Sequence, residues 1–198
     1  TDLDITAAPV YYDYQLMLTW RPREADKVRL IVYGTTDDFK VVLKKPLDSD
    51  AAVRGNLSMG TAIHRLQGQW LHRFSERAEQ EISLTMGPLT FNERVGDLSL
   101  EVVQMEFLAR AEWRLRLCDR LRLLAGLDTG VGYGDVKYYG PSLPAFEGDP
   151  NQYAPLAGRQ SNTLDYSTWV ARPAAYAELS AQITPAWLLV AGLRADYY

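Results

Sequence analysis

The residues best placed to do chemistry in this chain are ionic. Glu106, Arg110, Glu112, Arg114, Arg116, Arg122, Asp128, Glu178, Arg194 and Asp196 fall at alternate positions of strand-like runs, where they would share one face. Opposite charges set out this way form ion pairs and charge-assisted hydrogen bonds along a wall, a surface suited to binding rather than to bond breaking. Catalytic signatures are missing: there is no Gly-x-Ser-x-Gly elbow, no Walker loop, and no Cys or His cluster with zinc spacing. Gly130-Val131-Gly132-Tyr133-Gly134 follows a strand pattern, but no helix pattern follows it to complete a phosphate cradle. His64 and His72 lie eight positions apart on one strand parity, about 26 Å, and cannot share a metal. Cys118 is the only cysteine, so no intramolecular disulfide forms, and the net charge of -4 offers no basic footprint for nucleic acid. The expectation is a protein that is not an enzyme, with no cofactor, no metal and no nucleic-acid partner.

The elements that would carry these residues are long strands. Val103, Met105, Phe107, Ala109, Ala111, Trp113, Leu115 and Leu117 share one parity, while Gln104, Glu106, Arg110, Glu112, Arg114 and Arg116 fill the other, with Leu108 the one apolar intruder. A helix turns about 100° per residue and would scatter that apolar set over opposite faces. Strands of ordinary globular proteins run about five or six residues, whereas a tilted strand crossing a bilayer needs roughly nine to eleven with one greasy and one wet face. No window reaches the roughly 18 apolar residues of a spanning helix. The pattern predicts an all-β fold: an antiparallel meander of eight long strands forming part of a transmembrane outer-membrane β-barrel, as an open arc.

Four hairpins follow one another over residues 1–198, read as a single segment. Their turns lie near Arg21–Asp26, Ser75–Glu79, Cys118–Arg120 and Thr184–Ala186, and the segments between hairpins, about 34–54, 87–97 and 130–165, read as long outer loops. Short turns face the periplasm and long loops face outward in such barrels. Trp20, Trp70, Trp113 and Trp187 lie on the apolar parity close to the tight turns, as an inner aromatic girdle would, with Trp169 and Tyr197 marking the outer one and the two histidines fitting opposite interface zones. That sidedness puts both ends of the chain outside, and predicts an internal segment of a larger barrel.

Hairpins three and four repeat at an offset of 66 residues, matching Ala111-Glu112 to Ala177-Glu178 and Leu123 to Leu127 onto Leu189 to Leu193. The register this implies sets Glu112 opposite Gly126, Glu178 opposite Gly192, Arg110 opposite Asp128, Tyr176 opposite Arg194, and Arg116 opposite Arg122. An inward glycine makes room for something close to the wall, either the facing glutamate or a plug inside the barrel. Arg110, Glu112, Asp128, Tyr176, Glu178 and Arg194 are therefore candidates for lumen-wall or plug contacts. Two like-charged arginines facing each other would repel unless an acidic partner sits between them. Mixed charge suits a filled interior, with plain solvation the alternative.

The 130–165 segment is rich in tyrosine. Lys137, Tyr138, Tyr139, Tyr153 and Arg159 are candidates to hold a small solute at the barrel mouth by stacking and charge-assisted bonds, unless the loop's aromatics, Phe146 and Tyr166 among them, only stabilise the loop itself.

Ala175-Tyr176-Ala177-Glu178-Leu179, the Thr184-Pro185 turn, Leu189 to Tyr197, and the run from Asp4-Ile5 through Ala8-Pro9-Val10-Tyr11-Tyr12-Asp13-Tyr14-Gln15 resemble hairpins of the TonB-dependent outer-membrane receptors. Residue-level likeness covers about a quarter of the chain, and the plug domain, TonB box and terminal aromatic strand end of that family are absent from it. The resemblance implies a 22-stranded parent barrel in the outer membrane of a Gram-negative bacterium, importing a scarce nutrient such as a ferric siderophore. It implies as partners the membrane lipid, the plug and remaining strands of the same parent chain, a small solute ligand, and the inner-membrane TonB complex acting through the parent. The alternatives are a self-contained eight-stranded outer-membrane barrel (an anchor, adhesin or small lipid enzyme) and a soluble lipocalin-like binding protein with its apolar parity turned inward.

Overall fold

The computed structural model describes residues 5–43, 55–142 and 159–197. They form β1 (Ile5–Arg23), β2 (Asp26–Leu43), β3 (Gly55–Ser75), β4 (Ala78–Val95), β5 (Leu98–Cys118), β6 (Leu121–Pro141), β7 (Ser161–Thr184) and β8 (Trp187–Asp196). Each strand pairs antiparallel with the next, giving one eight-stranded meander in chain order. Among the described residues no ladder joins β1 to β8, so the sheet is open, and the closed eight-stranded barrel that would need that ladder is not formed.

The two parities build two unlike faces. One cross-strand row runs Leu16, Val32, Leu66, Met86, Phe107, Val131, Ala171, all apolar. One residue along β2 to β5, Tyr33, Arg65, Gly87 and Glu106 lie on the other face. In mid-sheet the apolar side chains stay open, with Leu84 60% and Leu127 57% exposed, whereas Arg65 at 9% and Glu112 at 8% are buried among polar neighbours. A curved sheet spreads side chains on its convex side and crowds those on its concave side, so the apolar face is convex and the charged face concave. This is the reverse of a lipocalin-like barrel. The chain exposes 14199 Å², against about 9,400 Å² for a compact soluble monomer of its mass. Among the described residues no helix is long and apolar enough to cross a membrane.

All four tight turns are shorter than the sequence suggests. Glu24-Ala25, Glu76-Arg77, Asp119-Arg120 and Pro185-Ala186 are two-residue connections, each beside a register shift such as that between Arg116 and Cys118. The extra residues fall at Arg21 and Pro22 in the first hairpin and at Phe74, Leu117 and Ile183, just ahead of the expected turns, in the others, while Ser75, Cys118 and Thr184, expected in the turns, are still paired.

The expected outer loops are corrected more strongly. β2 continues to Leu43, β4 to Val95 and β6 to Pro141, so all of 34–54 that is described, and nearly all of 87–97, is strand. β4 and β5 meet in a turn of only Gly96 and Asp97, where Gly96 has φ 56°, a conformation glycine adopts without a Cβ clash. Of 130–165, only 142–160 lies between strands. The misreading has a physical cause. Beyond the apolar band the convex face turns polar, with Asp38, Lys40, Asn92, Arg94, Glu101 and Lys137, and alternation vanishes while the backbone ladder goes on.

Candidate functional site

The concave wall carries two charged networks. The first is built on Glu112 of β5. Its carboxylate accepts from Tyr176 Oη of β7 at 2.8 Å, pairs with Arg114 at 2.5 Å and with Arg110 at 3.3 Å. Arg110 Nε donates to the same Tyr176 hydroxyl at 2.9 Å, and its guanidinium lies 5.2 Å from the ring centroid. Arg114 also reaches Glu79 and Glu81 on β4 at 2.9 and 3.2 Å. Arg194 also stands 5.8 Å from the ring centroid and bridges Asp128 and Asp196. Five strands are thereby cross-linked by side chains as well as by backbone.

Tyr176 can lie flat because Gly126 is beneath it: a Cβ on Gly126 would collide with the phenol ring. The register places Glu112 opposite Gly126, Glu178 opposite Gly192, Arg110 opposite Asp128 and Tyr176 opposite Arg194, as the 66-residue repeat predicts. Among the described residues, however, the group that comes close to Gly126 is not the facing Glu112. It is the tyrosine of the neighbouring strand, which sequence repeats do not reveal because it depends on which strand pairs with β6 and at what offset. Gly192 has only ordinary contact with Glu178.

Tyr176→Phe isolates the hydroxyl, since the ring keeps its place over Gly126. The loss of a bond to the charged Glu112 is expected to lower stability by about 1.5 to 3 kcal/mol, read as a lower urea midpoint for the full-length protein folded in lipid vesicles. An unchanged midpoint would show that this hydroxyl does not hold the wall together.

The second network lies higher on the wall and was missed at the Arg65 end. Arg65 Nη1 donates to the carbonyls of Gly87 at 2.6 Å and Pro88 at 2.9 Å, and Nη2 pairs with Glu106 at 2.7 Å. Gln104 and Arg172 complete the Glu106 carboxylate at 3.3 and 3.4 Å. The β3–β4 ladder skips His64 and Arg65, and Gly87, with φ 154° and no side chain, lets the guanidinium reach the backbone there. Glu106 was legible as a charge on the polar parity of its strand; the meeting with Arg65 across a whole intervening strand was not.

The histidines stand on the convex face. His64 stacks on Tyr14 with Tyr14 Oη 3.0 Å from Nδ1, over Gly34, and His72 packs against Trp70 and Phe74 with Asp26 2.7 Å from its Nδ1. Trp70 donates to the same Asp26 oxygen at 3.0 Å, giving the aromatic residue the polar handle that an interface position uses.

The mouth candidates separate. Lys137, Tyr138 and Tyr139 are on β6 rather than in a loop, and alternate faces: Tyr138 belongs to the concave row Phe39, Met59, Glu93, Leu100, Tyr138, Leu164, whereas Lys137 and Tyr139 point to the convex side. All three nevertheless line one recess of about 580 Å³ at this end of the sheet, with Lys40 and Arg94. Tyr138 Oη donates to Pro141 O at 2.5 Å, and Arg159 donates to Ser142 O at 3.1 Å. Tyr153, like Phe146, lies outside the described residues. Two concave aromatics were not singled out for this wall: Phe91 and Tyr166 share the next row with Asp37, Thr61, Val102 and Val136.

The fold of this chain has a likeness among solved structures. The chain is similar to FpvA of P. aeruginosa, in a complex with iron and a heterologous pyoverdine, at a TM-score of 0.65 and 12% identity. The fold matches a stretch of FpvA. The likeness covers 96% of this chain and 30% of the FpvA chain, so the chain spans about 30% of the length of that protein. No family model matches the sequence, and no curated protein matches it.

Proposed function

We propose that this chain is wall and outer surface of a TonB-dependent receptor in the outer membrane of a Gram-negative bacterium, importing a scarce nutrient such as a ferric siderophore. The observation that carries this reading is the open eight-stranded arc with its apolar face convex, similar in fold to part of FpvA, a protein solved with iron and a pyoverdine bound. The two unpaired sheet edges support it further, because unsatisfied backbone donors and acceptors in lipid cost several kcal/mol each; neighbouring strands of the same parent satisfy them in this reading. Its role is binding and passage, without catalysis by these residues. The energy comes from the inner-membrane complex through the parent, and the solute meets the concave face at the loop end.

The test is made on the full-length protein. Membrane fractionation is expected to recover it in the outer membrane, and deleting its gene is expected to abolish uptake of radiolabelled iron supplied as one of a panel of ferric siderophores, iron pyoverdine included. Recovery in the soluble fraction, or undiminished uptake of every compound in the panel, would overturn the reading. Within the site, Phe91→Ala with Tyr166→Ala is expected to weaken binding of the transported compound by roughly 5- to 160-fold, at about 0.5 to 1.5 kcal/mol for each aromatic contact. Lys137→Ala with Tyr139→Ala, on the other face, is expected to leave it unchanged. The reverse pattern would move the ligand away from the concave wall.

A further inference from the structure

Beyond the apolar band the two faces of the wall exchange polarity. The convex face turns to Asp38, Lys40, Asn92, Arg94 and Lys137, while the concave face, ionic lower down, turns apolar. Phe91, Val102, Val136 and Tyr166 form one unbroken concave row across β4 to β7. Leu100 and Leu164 stand in the next row, on either side of Tyr138. Tyr166 is 55% and Leu164 52% exposed. A contiguous apolar patch rimmed by polar residues and left open to water marks a place where something else is bound.

Size and charge together select the occupant. The row crosses three strand spacings, about 14 Å, and two rows rise about 13 Å along the strands. A stable protein interface buries about 800 Å² on each partner, roughly four times what this block offers. It suits one hydrocarbon chain, for which the two valines leave a low track between the rings of Phe91 and Tyr166. On its β2 side the block is flanked by Asp37, which reaches Phe91 across Thr61, and by Glu93, the partner of Leu100. Neither carboxylate has a hydrogen-bond or ion-pair partner among the described residues. No Lys or Arg stands on these two rows from β2 to β7. Arg65 and Arg172, the first concave cations below them, are taken up by Glu106. An anionic solute would meet two uncompensated carboxylates and no cation.

We propose that the solute carried along this wall is an amphiphile: a linear acyl chain laid across β4 to β7, on a head group that offers hydrogen-bond donors to Asp37 and Glu93 and bears no net negative charge. The proposal rests on the reading of this chain as receptor wall and names the class of compound that it carries. Water leaves the apolar block as the chain settles, so affinity rises with chain length, by about fourfold for each methylene buried. The two carboxylates accept from the head group and turn away compounds that end in a carboxylate of their own.

The experiment measures uptake of radiolabelled iron that depends on the gene for the full-length protein. Ferric hydroxamate, catecholate and hydroxycarboxylate chelates are each supplied plain, with a decanoyl chain, and with a succinyl chain that ends in a carboxylate. For at least one chelate the decanoyl form is expected to half-saturate uptake at a concentration at least fivefold below the plain form, and the succinyl form to do no better than the plain one. Val102→Asn with Leu164→Gln is expected to abolish that preference, and Val102→Ile with Leu164→Met to keep it, in barrels shown to be folded by heat-dependent gel migration. Should the polar variant fail to fold, the three forms compared on the unsubstituted protein still decide. A decanoyl advantage below fivefold for every chelate taken up, a succinyl form that outdoes the plain one, or a preference that survives the polar substitutions would overturn the proposal and leave the receptor reading standing. No gene-dependent uptake of any chelate in any form would remove both.

Discussion

Gly87→Val is expected to prevent this sheet from assembling. A Cβ at Gly87 would fall on the backbone carbonyl of His64, a neighbour that cannot swing aside as a side chain could, and the φ of 154° is one that β-branched residues avoid. Backbone strain of about 1 to 3 kcal/mol adds to overpacking of similar size. The damage does not stop there, because Arg65 is anchored by the Gly87 and Pro88 carbonyls while it holds Glu106 at 2.7 Å. Displacing β4 from β3 leaves a guanidinium and a carboxylate, both largely buried, without their partners. The measurement is the fraction of full-length protein that migrates as folded barrel in unheated gels, with Arg65→Lys as a companion that keeps the charge but loses the fork geometry. Folded yield of Gly87→Val equal to the parent would show that β3 and β4 can separate at this point without loss.

Leu84→Arg is expected to block insertion into lipid, and Thr85→Arg, one residue further on, to be tolerated. Leu84 is on the convex face between Gly68 and Ala109, 60% exposed in the isolated chain, in the row adjoining Trp20 and Trp70 toward the middle of the apolar band. A lipid-facing arginine costs about 2 to 4 kcal/mol near the bilayer midplane. Thr85 faces the concave side between Gln67 and Leu108, where water and acidic neighbours are within reach of a long side chain. Folding efficiency into vesicles, followed by protease protection, separates the two variants. Equal losses would argue that the convex face does not meet lipid.

The alternation from Val103 to Leu117 was enough to identify β5 and its apolar face, since only a two-residue period places those side chains on one side, although the strand begins earlier, at Leu98. The 66-residue repeat was enough to pair Glu112 with Gly126 and Arg116 with Arg122, because identical turns impose identical registers. It could not show that β4 and β5 meet in two residues, nor that β2 and β6 run on beyond the apolar band. There the ladder is held by backbone hydrogen bonds, which every residue type but proline can make and which leave no trace in hydropathy. Nor could it separate Tyr138 from Lys137 and Tyr139, which a loop would have gathered and a strand sends to opposite faces. The joints that lock the wall, Tyr176 over Gly126 and Arg65 through the gap at Gly87, were decided by tertiary structure alone. Each joins residues on neighbouring or next-nearest strands, dozens of positions apart in the chain. Their meeting depends on the accumulated register of every hairpin between them, a property of the sheet rather than of any local pattern.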